Sequence, residues 1–221
     1  MNLLVFTFSL AFCIAATLAL KQYEDLHPRF PESEVANWIP SKILKSSFPY
    51  YLSGVSEEDE PIWVAEFGKW NVRKFIEGAP GNLDILNKYI DQVAFNGLSS
   101  LNFSDPNTKP QILAIVDLEG FDYYQLGSPE NLKFILKTFT FFGPAITKYV
   151  NVAYMVNTNF LAQTVINLLK PVLGEALSRF EVHGTNRVKW MAQLSQKLPR
   201  DQIPECVLRD MSMCWLRVTL E

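Results

Sequence analysis

Histidine is almost missing from this chain of 221 residues: there are two, His27 and His183, one in the leader and one in a strand-like run. That scarcity argues against an imidazole metal centre and against a nucleophile–histidine pair. Charge is sparse as well, at 19% of residues with a net value of -3. No basic run exceeds two residues, so nothing favours a nucleic-acid partner. GxSxG, the P-loop and GxGxxG are all absent. Cysteine is limited to Cys13, Cys206 and Cys214, and Cys206 beside Glu205 has no evident base to make it a nucleophile. Asp117 and Glu119 flank Leu118 at a strand end with no His or Lys near them in sequence, so Asp117 reads as an acceptor for backbone N–H groups rather than as half of an acid–base pair. These absences point to a protein without enzymatic activity, cofactor or metal.

Apolar surface is what the chain has in excess. It is 48% hydrophobic and 13% aromatic, with 16 phenylalanines. This length suits one globular domain with a sizeable core. Asn2 to Leu20 carries no charge, and Thr17-Leu18-Ala19 offers small residues for cleavage after Ala19. Residues 1–19 therefore read as a signal peptide, with a retained anchor as the alternative. Cleavage would make the mature chain secreted. Cys206 and Cys214 would then remain as one disulfide or as two thiols, and Asn102-Phe103-Ser104 would be a glycosylation sequon at a turn.

Residues 20–47 are polar and broken by Pro28, Pro31 and Pro40, leaving room for a turn or two of helix at Glu32 to Trp38. Beyond them strands and helices alternate. Ile62-Trp63-Val64 reads as a strand, and Asn82 to Asn96 as a helix with Gly97 as its stop. Gln111 to Asp117 is a continuous apolar run, as a strand covered on both faces should be. Ser128-Pro129-Glu130 starts a helix that ends at Gly143-Pro144. Asn151 to Val156 is the third strand and Phe160 to Leu169 an apolar helix. Arg179 to Val182 is the fourth strand, and a helix from Thr185 or Asn186 to about Leu198 follows. The alternation predicts an α/β fold with a largely parallel sheet flanked by helices. Met211 to Glu221 is a strand-like tail.

Several of these segments, in this order and spacing, resemble the CRAL-TRIO lipid-binding family. They are Phe48 to Val64, Ile112 to Phe121, Tyr154 to Asn157, the Lys170-Pro171-Val172-Leu173 step, Phe180 to Gly184, the helical series Trp190, Leu194 and Leu198, and Ile203-Pro204-Glu205. The resemblance runs from about Trp38 to Asp210 and implies a lipid-binding domain at 48–210, with residues 20–47 a reduced version of the family's helical N-terminal subdomain. It departs from the family at Cys206-Val207-Leu208-Arg209, where relatives carry a glycine turn.

The resemblance implies an apolar pocket closed by a movable helical gate, and a protein that binds and transfers a small hydrophobic ligand or lipid (a retinoid, tocopherol, sterol or phospholipid) between membranes or carriers. A sensor or protein-interaction module on the same fold is the alternative. Periodicity alone makes Phe160 to Leu169 a buried core helix; the resemblance makes it the gate. The expected pocket and gate residues are Phe121, Tyr123, Tyr124, Phe139, Phe142, Tyr154, Val156, Phe160, Leu161, Val165, Leu168 and Leu169. Tyr123 and Tyr124 would offer hydroxyls to the ligand's polar end. Lys148, Lys170 and Arg179 are expected to meet a headgroup or a membrane, although Lys170 also suits the end of a helix dipole. Phosphoinositide-handling relatives carry an acid where Lys148 stands and a lysine where Arg179 stands, which tilts the expected ligand towards a neutral hydrophobe such as a retinoid, tocopherol or sterol. The partners expected are that ligand and, transiently, a membrane surface, with the protein itself a monomer.

Overall fold

The computed structural model of the protein describes residues 26, 28–103 and 109–204. Two short helices, α1 (Glu32–Val35) and α2 (Lys42–Ser47), lead into an antiparallel pair, β1 (Tyr50–Val55) and β2 (Pro61–Ala65). Next come α3 (Val72–Ile76), α4 (Asn82–Ser99), β3 (Ile112–Asp117), α5 (Tyr123–Leu126), α6 (Pro129–Tyr149), β4 (Val150–Val156), α7 (Phe160–Leu173), β5 (Phe180–Val182) and α8 (Arg187–Leu194). The five strands lie in the sheet in chain order, and β2 to β5 are parallel. The α/β fold with a largely parallel sheet is therefore as expected from the alternating pattern.

Parallel neighbours need crossovers, and crossovers that all step the same way with the same hand put their helices on one face. On that face α4, α6 and α7 pack through Leu86, Tyr89, Phe134, Ile135, Val165, Ile166 and Leu169 against Val116 and Met155. The opposite face is covered by α8 and the turns after it. There Trp190, Leu194, Leu198 and Ile203 seal Ile62, Val64, Leu113, Ile115, Tyr154 and Val156. The residues on β3 and β4 alternate between these two cores, so both sides of the strands are apolar.

Three expected helix ends are corrected. Gly97 lies inside α4, where it is buried, and an added Cβ would sit 3.1 Å from Ile112 Cδ1, so the glycine serves a close helix–strand approach. Pro144 lies inside α6, which continues to Tyr149. A proline there forfeits the bond to Thr140 and costs about 3 kcal/mol in an isolated helix. Ala145, Ile146 and Tyr149 beyond it are packed into apolar clusters, and that burial carries the helix on. Pro171 is likewise internal to α7, between buried Leu169 and Leu173. The helix starts follow their caps: Ser128 Oγ accepts from Asn131 N at 3.2 Å, and Asn159 Oδ1 from Ala162 N at 2.9 Å.

The segment before the sheet is buckled down. Arg29 pairs with Asp91, which is fully buried on α4, and its guanidinium lies 5.3 Å and 5.5 Å from the Phe141 and Phe142 ring centres. Val35 and Trp38 pack against the helical layer.

Buried sheet tyrosines, Tyr50 and Tyr154 among them, give the fold an alkaline limit. Burial pushes the Tyr50 phenol up to about 12, against a hydrogen bond from Asn96 Nδ2 at 2.8 Å that works the other way. Burial, then the negative charges of Glu181 and Glu60, push Tyr154 up to about 12 as well. The unfolded phenol ionises near 10, so this stability is whole below that pH and is lost as pH rises towards about 12. Denaturation midpoints should fall more steeply over that window for the native chain than for Tyr154→Phe. Equal slopes would show that Tyr154 contributes nothing to alkaline unfolding.

Candidate ligand-binding cleft

Between α7 and the sheet lies a cleft lined by Phe67, Leu118, Phe121, Ile135, Phe139, Met155, Ala162, Val165, Ile166, Leu169 and Phe180. Every one of these side chains is apolar. α7 contributes Ala162, Val165, Ile166 and Leu169, spaced three and four apart and so on one stripe of the helix. α6 supplies Ile135 and Phe139 from the side, and Phe139 meets Phe180 edge to face at 6.5 Å. The cavity volume is about 30 Å³. Among the described residues no group of three His, Cys, Asp or Glu could hold a metal ion.

The expected pocket residues divide. Phe121, Phe139, Val165 and Leu169 line the cleft. Leu161 packs into the same core but off the lining. Tyr154 and Val156 are corrected to the opposite face of the sheet, because side chains alternate along β4 and Met155 takes the cleft side. Phe142 is corrected to the outer side of α6, under Arg29. Tyr123 and Tyr124 are 77% and 54% exposed, and Phe160 and Leu168 are 87% and 52% exposed, so these four face solvent rather than the cleft. The lining residues Phe67, Leu118, Ile135, Met155, Ala162, Ile166 and Phe180 were not anticipated, although the stripe from Ala162 to Leu169 is visible in the sequence.

The expected cations sit at the far end of the sheet. Lys148 precedes β4 and Arg179 precedes β5, whereas Phe160 follows β4. β4 has 7 residues, which at about 3.3 Å each puts the two ends roughly 20 Å apart. Arg179 donates from Nη2 to the Thr147 carbonyl at 3.0 Å, and Lys148 lies 4.8 Å from the Tyr149 ring centre. Lys170 is exposed near the C-terminal end of α7. Residues 1–19, Cys206 and Cys214 lie outside the described residues, as does Ser104; Asn102 is exposed just beyond α4.

Both ends of α7 carry unusual backbone. Asn157, before it, has φ 54, and Gly174, after it, has φ 52. Asn157 is pinned twice: its Nδ2 donates to Asp117 Oδ1 at 2.9 Å, and its Oδ1 accepts from Trp190 Nε1 at 3.0 Å. Asp117 Oδ1 also accepts from Glu119 N at 2.9 Å, so it is a strand-end acceptor. Asn159 caps α7 and donates from Nδ2 to the Phe121 carbonyl at 2.7 Å. One polar cluster thus joins the start of α7, the loop after β3 and the helix on the opposite face. A glycine is needed where the loop crosses: a Cβ on Gly68 would fall 1.9 Å from the Glu119 carbonyl oxygen.

A search of curated proteins finds no match. Among solved structures the chain is similar to the crystal structure of Sfh5, with a TM-score of 0.52 at 18% sequence identity. That match covers 71% of this chain and 53% of the other, so this chain spans about half that protein's length. At this identity the likeness speaks for the fold alone. The family model for the CRAL/TRIO domain matches residues 45–207, well over half of the chain. By that match the chain belongs to the CRAL/TRIO domain family, whose members bind lipids or hydrophobic small molecules.

Proposed function

We propose that this protein takes a small neutral hydrophobic ligand into the cleft beneath α7 and hands it over at a membrane. The observation that carries the reading is the lining, which joins eleven apolar side chains from two helices, two strands and the intervening loops without one polar group. A phosphate headgroup placed there would lose its hydration with no partner in return. Arg179, next in sequence to the lining residue Phe180, donates from Nη2 to the Thr147 carbonyl at 3.0 Å. A cavity of about 30 Å³ does not hold such a ligand, so α7 has to move outward to admit one. The left-handed residues Asn157 and Gly174 are natural points for that movement.

The energetics set where exchange happens. About sixteen buried methylenes gain roughly 13 kcal/mol on leaving water, which favours uptake and opposes release into water. Against hydrocarbon both the ligand and the inner stripe of α7 leave at little cost. On this reading the protein is a secreted monomer with no catalytic group and no cofactor beyond the carried ligand. The smallness of the cavity favours a second reading, a protein-interaction module on the same fold that holds no lipid.

Native mass spectrometry of protein from a eukaryotic secretion host, followed by organic extraction, separates the two. A ligand bound near one to one supports the carrier and names its class. An empty protein that takes up no retinoid, tocopherol or sterol from vesicles supports the module. A bound phospholipid would overturn the neutral-ligand reading. The intact mass also reports cleavage after residue 19, sugar at Asn102 and the state of the two cysteines.

A further inference from the structure

The two edges of the sheet are finished differently. β5 has 3 residues and offers little backbone to pair with. β1, at the other edge, has 6, Tyr50–Val55, with neither charge nor proline among them to discourage another strand. Among the described residues no strand pairs with its outer side. Its pairing with β2 slips between Leu52 and Gly54, which sets Gly54 opposite Ile62 and Val55 opposite Pro61. That bulge turns Leu52 and Val55 to the same face, the one on which Tyr50 stacks on Trp63 at 5.8 Å. Leu52 is 49% exposed and Val55 50%, so an apolar ledge runs along the open edge.

The chain itself is led to this edge. Ser53 Oγ donates to the Gln202 carbonyl at 2.6 Å, and the Gln202 side chain lies over Gly54, where an added Cβ would fall 1.4 Å from Oε1. Ile203 is buried in the cluster that holds Ile62 and Val64. Pro204 is therefore two residues, roughly 7 Å, beyond a contact with the middle of β1. Residues 205–221 lie outside the described residues. In their sequence Cys214, Leu216, Val218 and Leu220 alternate with Trp215, Arg217 and Thr219, the pattern of a strand with one apolar face. Residues 205–213 can span roughly 30 Å, more than the length of β1, so either end of the edge is within reach.

We propose that residues 214–220 add to β1 as a sixth strand, with their apolar alternates beside Leu52 and Val55. The inference is independent of what the cleft holds. Pairing gives partners to the outward N–H and C=O groups of β1 and takes the ledge out of water. The short tether holds the segment at an effective concentration of about a millimolar, which a second copy of the chain does not reach in dilute solution. The open edge is thus closed from within the same molecule.

Hydrogen–deuterium exchange of the full chain, read by mass spectrometry of its peptides, tests the pairing from both sides. Leu216→Asp with Val218→Asp should speed exchange over 50–55 at least about tenfold and leave 112–117, in the middle of the sheet, unchanged. Leu52→Lys, at a half-exposed position, should in return speed exchange over 214–220 by a similar factor. A segment that does not touch β1 cannot alter its exchange, so equal rates over 50–55 in the native chain and the Leu216→Asp, Val218→Asp variant overturn the proposal. Unprotected exchange of 214–220 in the native chain does the same. Analytical ultracentrifugation beside the exchange measurement identifies the occupant. Protection of β1 should persist in the monomer on dilution, whereas protection that appears only with a dimer assigns the edge to a second copy and overturns the proposal.

Discussion

Trp190→Ala should destabilise the protein by about 3–5 kcal/mol, a large share of the 5–15 kcal/mol typical of a domain. The indole is 1% exposed and is the largest side chain wedged between α8 and the outer face of the sheet, against Tyr154 and Val156. Its removal leaves a cavity that the rigid strands behind it cannot collapse to fill. It also orphans Asn157 Oδ1, whose left-handed backbone then keeps only the Asp117 bond. Trp190→Phe separates these effects: it keeps most of the packing and should lose about 1–2 kcal/mol for the missing hydrogen bond. Urea denaturation measures both. A loss below about 1 kcal/mol for the alanine variant would mean that α8 is not an integral part of the fold.

Two adjacent leucines on α7 should respond in opposite ways to the same substitution. Leu169 is 3% exposed and lines the cleft, while Leu168 is 52% exposed. Leu169→Asp deletes a core side chain and buries a carboxylate without a partner, and should cost more than about 4 kcal/mol, enough to leave the chain largely unfolded. Leu168→Asp should change stability by less than about 1 kcal/mol, because in the closed molecule the carboxylate stays in water. On the proposed carrier function α7 swings outward at a bilayer, where the same carboxylate has to stay out of the hydrocarbon, so ligand transfer between vesicles should slow at least tenfold. Transfer at the native rate by folded Leu168→Asp protein would remove α7 from the mechanism. Equal stability of the two variants would mean the helix is rotated from the placement described.

How far the sequence reveals these features depends on whether the deciding contact is local. The caps at Ser128 and Asn159 are local chemistry, and both helices begin where those residues say. The ends are decided elsewhere: Pro144 and Pro171 look like stops, yet burial of Tyr149 and Leu173 beyond them carries each helix on. Gly97 looks like a C-cap and proves to be clearance for Ile112. In the cleft, β4 is apolar on both faces, so nothing within the strand says whether Met155 or Tyr154 faces α7. The inward stripe of α7 could be read from its spacing. The fate of Phe142 could not, because it depends on Arg29 from the far leader. Lys148 and Phe160 are near in sequence, but the whole of β4 lies between them.

The chain-order sheet has a consequence for how the molecule is made. The next strand to be made is always a neighbour of the last: β2 completes a hairpin with β1, and each later strand adds beside the one just finished. Every crossover helix then closes over strands already in place. The parallel pairs still lie far apart in sequence, 51 residues for Ile62 and Leu113 and 27 for Ala153 and Phe180, so they close more slowly than the β1–β2 hairpin. The growing edge is always the newest strand, and β5, the last and shortest at 3 residues, leaves little of it open for another chain to pair with.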